Sequence, residues 1–314
     1  MRPASLSFAR YWAITRLRLD AEFNQRLGAF FDPLPERELG AVREVLSGGK
    51  RLRATLACLV NESLGGAPEA AIPRALAIEC VQAASLVHDD WVDGDTLRRD
   101  RPATWTRHGP RRAVLLGDLM FATALRRMAQ LGRDDVLVLA EAIAAMAAGA
   151  SQEPLAGDDP ATAERAPLPT LYPRLIHLKT GVLFGAAARL GAQAAGAVAS
   201  TCEAACAYGA RAGQAYQLAD DLRDLLGSAE DPALPPAPGP LLAPALAHFC
   251  GHGGPADAAM LACLRDAMQA NLELRLRQAE AAADRLPARG QHQQLLKCAP
   301  REIVGLMRDG APAE

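Results

Sequence analysis

An all-α fold is predicted by three features of the chain. Half of its 314 residues are hydrophobic, enough to bury one substantial core or two modest ones. Aromatic residues make up only 4% while Ala and Leu recur throughout, a balance that favours helices over the β-branched and aromatic make-up of sheets. Apolar residues fall at helical spacing in one segment after another, with Pro and Gly between them.

The first helix is predicted over residues 10–27, ended by Pro33 and Pro35. A second spans 37–65, interrupted at Ser47, Gly48 and Gly49 just before a basic turn of Lys50, Arg51 and Arg53. Residues 72–91 read as a long apolar helix that turns acidic at its end, followed to Gly109 by an arginine-rich loop broken by Pro102. Helices follow over 113–131 and 135–152, then a loop over 154–169. The helix 172–190 carries Lys179 near its centre, and the helix 197–226 ends in a second acidic cluster. Pro232, Pro235, Pro236, Pro238 and Pro240 exclude regular structure over 228–240 and predict an extended or flexible connection. Helical pattern returns over 255–286, with a short last helix over 291–307. No repeat or shift in composition divides the chain, so residues 1–314 are expected to form one domain.

The 34 basic and 36 acidic residues leave a net charge of -2, which offers no general attraction to nucleic acid or to an anionic membrane. An anion site must therefore be local. Lysine occurs only at Lys50, Lys179 and Lys297. Cys58, Cys80, Cys202, Cys206, Cys250, Cys263 and Cys298 include no C-x-x-C pair and read as reduced, small packing residues. The first 20 residues lack the apolar run of a signal peptide, and Glu141 and Arg189 interrupt the two most apolar helical stretches. A soluble cytoplasmic protein without stable membrane insertion is expected.

Two segments carry the chemistry. HDDWVD places Asp89, Asp90 and Asp93 at the end of one apolar helix, and DDLRD places Asp220, Asp221 and Asp224 at the end of another. Chance would supply about 0.08 D-D-x-x-D matches in a chain of this composition, so a pair of them calls for an explanation. Residues i and i+4 share a helix face, so Asp89 projects with Asp93 and Asp220 with Asp224. Carboxylates held this close repel one another unless a cation lies between them. Magnesium fits, because it takes hard oxygen ligands and shares its shell between one or two carboxylates and a phosphate-bearing substrate. Cationic residues stand in separate segments: SGGKRLRA supplies Lys50, Arg51 and Arg53, the first acidic motif runs on into Arg98 and Arg99, and HLKTG supplies Lys179 and Thr180. Arginine forks and a lysine point charge suit phosphate oxygens.

With these motifs in this order, the chain resembles the trans-isoprenyl diphosphate synthases of the polyprenyl synthetase family. The resemblance runs through the G-G-K-R-x-R turn at 48–53, the H-D-D-x-x-D helix at 88–93 with Arg98 and Arg99, Gly117-Asp118, the K-T-G-x-L-F helix at 179–184, and G-x-x-x-Q-x-x-D-D-x-x-D at 213–224. It implies a helical bundle with a deep central cavity, both acidic motifs at its mouth, and a homodimer. It also implies condensation of an allylic diphosphate with isopentenyl diphosphate, using three magnesium ions. Asp89, Asp93 and Asp220 are then metal ligands, with Asp90, Asp221 and Asp224 near the metals or their waters. Arg98, Lys179, Thr180 and Gln217 would face the allylic diphosphate; Lys50, Arg53, Gln82 and Arg99 would hold isopentenyl diphosphate.

Two departures accompany the resemblance. Similar proteins carry two more lysines shortly after the second acidic motif, where this chain has none, and an apolar residue where it has Arg223. The missing lysines admit a non-catalytic subunit of a heteromeric synthase. A terpene-synthase-like enzyme that only ionises its substrate would need no second diphosphate pocket. An H-D dyad at His88 and Asp89 lacks the further ligands of a phosphohydrolase, and Trp91 is expected to pack. Counting back from Asp89 in fours gives Ser85 and Val81, with Ala84 alongside, as the expected cavity wall. These are small, whereas similar synthases that stop at farnesyl diphosphate carry a bulky aromatic at the position of Ala84 or Ser85. A product of about twenty carbons or more is expected, unless Met120 or Phe121 closes the wall at a shallower depth.

Overall fold

A computed structural model describes residues 7–99, 101–153, 168–227, 241–251 and 256–308. The helices are α1 (Phe8–Phe31), α2 (Glu36–Leu46), α3 (Leu52–Ser63) and α4 (Ile72–Val92), then α5 (Thr104–His108), α6 (Pro110–Leu131) and α7 (Arg133–Ala150). They continue with α8 (Leu168–Ile176), α9 (Val182–Ala194), α10 (Ala199–Gly227), α11 (Leu242–Cys250), α12 (Ala258–Ala283) and α13 (Gly290–Arg308). Strand pairing among the described residues is confined to a two-residue hairpin, β1 (Leu97–Arg98) with β2 (Arg101–Pro102). The chain is all-α, as its composition predicts.

The second predicted helix is in fact two, α2 and α3, because the backbone turns at Gly48 (φ 74°) and again at Arg51 (φ 54°). A side chain at positive φ is strained, and here the surroundings hold it. The buried Arg51 guanidinium meets Asp20 at 2.9 Å, Glu79 at 3.5 Å and the Leu46 carbonyl at 2.5 Å, and lies over the Phe23 ring. Asp20 on α1 and Glu79 on α4 thus fix the turn that presents Lys50 and Arg53.

The predicted helix 172–190 is divided between α8 and α9 by a π turn at His177–Gly181, where Lys179 and Thr180 reside. The loop 92–109 contains the hairpin and α5. The apolar run LAPALAHFC forms α11, which sequence periodicity did not mark, and the last helix, α13, is 19 residues long rather than short. The proline-rich connection 228–240 lies outside the described residues.

Glycine sets the closest helix contacts. A Cβ at Gly191 on α9 would collide with the Ala57 carbonyl of α3, and one at Gly209 on α10 with the Phe184 carbonyl of α9. α9 therefore lies directly between α3 and α10. A first apolar cluster joins α1, α2, α3, α4, α6, α7 and α9, a second joins α1, α3, α9, α10, α12 and α13, and a third joins α8, α10, α11, α12 and α13. The stretch Pro68–Val92 is apolar enough and long enough to cross a membrane, a length the interruptions at Glu141 and Arg189 did not anticipate, but 61% of its apolar window is buried inside the protein. All seven cysteines are free.

Candidate active site

α4 and α10 deliver their acidic ends to one cavity of about 950 Å³. Asp89 lies in the last turn of α4, and the Asp93 amide still bonds the Asp89 carbonyl at 2.8 Å, so helical register carries both carboxylates to the same side. Asp220, Asp221 and Asp224 descend the opposite wall, from α10. The basic turn contributes Lys50 and Arg53, the hairpin Arg98 and Arg99, and the π turn Lys179 and Thr180. Two acidic clusters and three cationic segments therefore share one cavity.

The acidic residues have different surroundings. Burial pushes the Asp89 carboxyl up to about 6, with Lys179 opposing the shift and Asp93 and Glu153 adding to it. Asp221 is likewise pushed up to about 6 by burial, against hydrogen bonds of 2.8 Å from Gln217 Nε2 and from the Tyr172 hydroxyl. Burial also raises Asp220. Asp90, 3% exposed, is turned to Arg98, whose Nε donates to its Oδ1 at 2.6 Å. It lines a smaller neighbouring pocket of about 310 Å³ together with Arg98, Arg99 and Gln82 rather than the main cavity. The Arg98 fork thus spans from the buried Asp90 to the edge of the cavity.

Lys50 and Arg53 are held by other parts of the fold. Lys50 Nζ donates to the Leu306 and Met307 carbonyls at 2.8 and 3.2 Å, tying the basic turn to the end of α13. The Arg53 guanidinium stacks on Phe184 at 4.5 Å, and its buried Nε has no acceptor. Arg99, at φ 53°, has its pKa lowered by burial and by the neighbouring Arg98 and Arg51 charges. Gln82 lines both pockets. Thr180 donates to Gln217 Oε1 at 2.5 Å, which joins the π turn to α10 just above Asp221.

Behind this turn, Arg275 Nη1 donates to Gln214 Oε1 at 2.7 Å, and the Gln214 amide nitrogen lies 3.0 Å from His177 Nδ1. Arginine can only donate, so the Gln214 oxygen faces Arg275 and its NH2 donates to an unprotonated Nδ1. Gly181 sits against both His177 and Gln214, where a Cβ would crowd them.

The wall differs from the one read by steps of four. Ser85 lines the cavity, but Val81 and Ala84 are fully buried in the core beside it. At about 100° per residue, Gln82 is rotated only about 20° from Asp89, whereas Val81 is about 80° and Ala84 about 140° away. Gln82 accordingly lines the cavity, and Phe121, Ile143 and Met146 face it from α6 and α7. Met120 is buried in the core. His88 Nε2 bonds the Val114 carbonyl at 3.0 Å, toward α6. Trp91 is 40% exposed and packs on Trp105 at the surface.

Glu153 was not visible to sequence reasoning. It belongs to no motif and stands alone after α7, yet it lies in the cavity wall, 7% exposed, with Oε2 2.8 Å from Lys179 Nζ and Oε1 without a partner. Tyr172 and Tyr216 also line the cavity through tertiary folding alone.

Among the described residues, no three His, Cys, Asp or Glu side chains converge closely enough to hold a metal by themselves. The donors come as pairs, one on each wall, all hard oxygens, and the unpartnered Glu153 oxygen belongs to the same cavity lining. That set fits magnesium, which binds through one or two carboxylates and completes its shell with water and substrate phosphate.

The profile of the polyprenyl synthetase family matches residues 38–233, more than half of the chain. The chain belongs to the polyprenyl synthetase family. An octaprenyl diphosphate synthase of Haemophilus influenzae is 35% identical over 223 residues, covering 69% of this chain and 66% of the relative. A (2E,6E)-farnesyl diphosphate synthase of Mycobacterium bovis is 36% identical over 185 residues, covering 58% and 50%. The chain thus spans between half and two thirds of the length of these relatives. The crystal structure of a decaprenyl diphosphate synthase from Rhodobacter capsulatus superimposes with a TM-score of 0.77 at 25% identity, over 95% of this chain and 98% of that one.

Proposed function

We propose that the protein is a magnesium-dependent prenyltransferase that condenses an allylic diphosphate with isopentenyl diphosphate to a longer all-trans prenyl diphosphate. The observation that carries this reading is the placement of both carboxylate clusters and both sets of cations around one cavity. Family membership and the diphosphate synthases among its relatives support it.

Asp89 and Asp93 on one wall, and Asp220 with Asp224 on the other, would hold three magnesium ions, with Asp90 and Asp221 supporting from behind. Bound there with the allylic diphosphate, the ions would neutralise the charge that develops on the leaving group. Lys179, Thr180, Gln217 and Arg98 orient that diphosphate, while Lys50, Arg53, Gln82 and Arg99 hold isopentenyl diphosphate. The allylic C–O bond breaks, the isopentenyl double bond attacks the allylic cation, and loss of a proton restores a double bond. Preorganised positive charge around the departing diphosphate is the main catalytic device. A cavity lined by Ser85 near the acidic motif supports a product of about twenty carbons or more; Phe121, which packs edge-on against His88 and lines the same cavity, is the residue that would shorten it.

The reading extends to one domain over residues 1–314, acting in the cytoplasm as a homodimer, without nucleic acid or membrane insertion. Ile14 and Leu17, three residues apart on one face of α1, are large apolar side chains left exposed in the single chain, as a face that pairs with a second copy would be. A catalytically silent subunit is favoured only by the absence of lysine shortly after the second acidic motif; turnover by the purified protein alone would exclude it. Arg53 and Arg99, a second cationic set, argue against an enzyme that merely ionises its substrate.

The test is the pair Asp89→Ala and Asp220→Ala with saturating magnesium. Each is expected to abolish prenyl transfer, and chelator to do the same reversibly. Substantial activity in either variant would refute the proposal.

A further inference from the structure

Arg223 lies inside the second acidic motif, between the two carboxylates that share its helix face. Its Nη2 is 2.7 Å from Asp220 Oδ1 and 3.2 Å from Asp224 Oδ1, and its Nε is 3.4 Å from the same Asp224 oxygen. Its other terminal nitrogen rests 3.2 Å from Met307 Sδ, at the end of α13. The guanidinium is half exposed and lines the cavity. One cation therefore already bridges the pair of carboxylates on this wall.

The opposite wall is built differently. Lys179 is bound to Glu153, and no basic side chain bridges Asp89 and Asp93 among the contacts of the described residues. The two acidic motifs, alike in sequence, thus start from different electrostatic states.

We propose that Arg223 is a tethered counter-ion that occupies the Asp220–Asp224 pair until a diphosphate draws it away, so that divalent metal and diphosphate bind this wall cooperatively. The inference rests on the proposed function and adds an order to it: the first acidic motif takes metal alone, whereas the second takes it more tightly once the anion has drawn Arg223 away. A guanidinium hydrogen-bonded to one oxygen of each carboxylate places a positive charge where a divalent ion would bind and so weakens that binding. A diphosphate offers that fork acceptors with more charge, and arginine matches phosphate oxygens bidentately. The half-exposed setting keeps each ion pair weak enough to exchange. By linkage, the anion then strengthens metal binding as much as the metal strengthens anion binding.

The experiment is a Mn2+ titration followed by electron paramagnetic resonance, with and without inorganic pyrophosphate, for the unaltered protein and Arg223→Gln. Both are compared again in an Asp89→Asn/Asp93→Asn background, which leaves only the second motif to be read. Should that background fail to fold by circular dichroism, the site count in the unaltered background carries the comparison. Without pyrophosphate, Arg223→Gln is expected to bind Mn2+ at the second motif roughly three- to tenfold more tightly, as expected from loss of two exposed ion pairs. The enhancement of Mn2+ binding by pyrophosphate should shrink by a similar factor. Arg223→Lys, which keeps the charge but loses the fork, should fall between. Equal or weaker Mn2+ binding in Arg223→Gln without pyrophosphate would overturn the inference and leave the proposed function standing. No Mn2+ binding by the unaltered protein even with pyrophosphate would instead remove the proposed function.

Discussion

Lys179 Nζ lies 2.8 Å from Glu153 Oε2, so the lysine assigned to the allylic diphosphate is neutralised by a carboxylate at the cavity wall. Glu153 is buried and its second oxygen has no hydrogen-bond partner, so Lys179 is the cation that balances its charge in the closed-off wall. A diphosphate entering the cavity must compete with this carboxylate for Lys179 and also lies near its charge. Glu153→Gln is therefore expected to lower KM for the allylic substrate roughly threefold or more, with a smaller effect on isopentenyl diphosphate. Steady-state kinetics with each substrate varied in turn checks this, and a raised allylic KM would contradict it.

The buried carboxylates make stability depend on pH in the metal-free protein. Asp89 and Asp221, each pushed up to about 6, hold protons in the folded chain that an unfolded chain releases near pH 4. Between these values the folded state binds more protons than the unfolded state, so stability is greatest on the acid side and falls as pH rises through 6. With chelator present, Tm by calorimetry is expected to be several degrees lower at pH 7 than at pH 5, and Asp221→Asn should reduce the difference. Magnesium at pH 7 should restore part of the loss by binding the ionised form. A Tm that rises from pH 5 to pH 7 in chelator would contradict the assignment.

Product length separates two neighbouring residues. Ser85 lines the cavity and Ala84 is fully buried in the core beside it. Ser85→Phe should shorten the product while leaving magnesium dependence intact. Ala84→Tyr should lower stability instead, because overpacking a closed core costs about 1–3 kcal/mol or more. Chain-length chromatography and denaturant unfolding of both variants check the distinction. Shortening by Ala84→Tyr at unchanged stability would show that the cavity reaches the other face of α4.

The helices and the acidic motifs were legible because both express a helical period: apolar spacing marks α4 and α10, and the i, i+4 pairs mark their shared face. Local sequence could not show where an interruption becomes a different structure. Gly48 and Gly49 signal a break, but the positive φ of Arg51 depends on Asp20 and Glu79, which arrive from α1 and α4. The π turn at His177–Gly181 is likewise joined to α10 and α12 through Gln214 and Arg275, which no pattern connects to it. Asp90 reads as the twin of Asp89, yet the next position along the helix turns it to Arg98. Glu153 has no sequence signal, since its role follows only from its proximity to Lys179 in the folded chain.

The most direct measurement is incubation of the purified protein with magnesium, labelled isopentenyl diphosphate and each of dimethylallyl, geranyl and farnesyl diphosphate in turn, followed by resolution of the products by length. At least one allylic starter should be extended to an all-trans prenyl diphosphate of about twenty carbons or more, and chelator should stop the reaction. No transfer of label from any starter, or hydrolysis of the allylic diphosphate without condensation, would contradict the proposed chemistry.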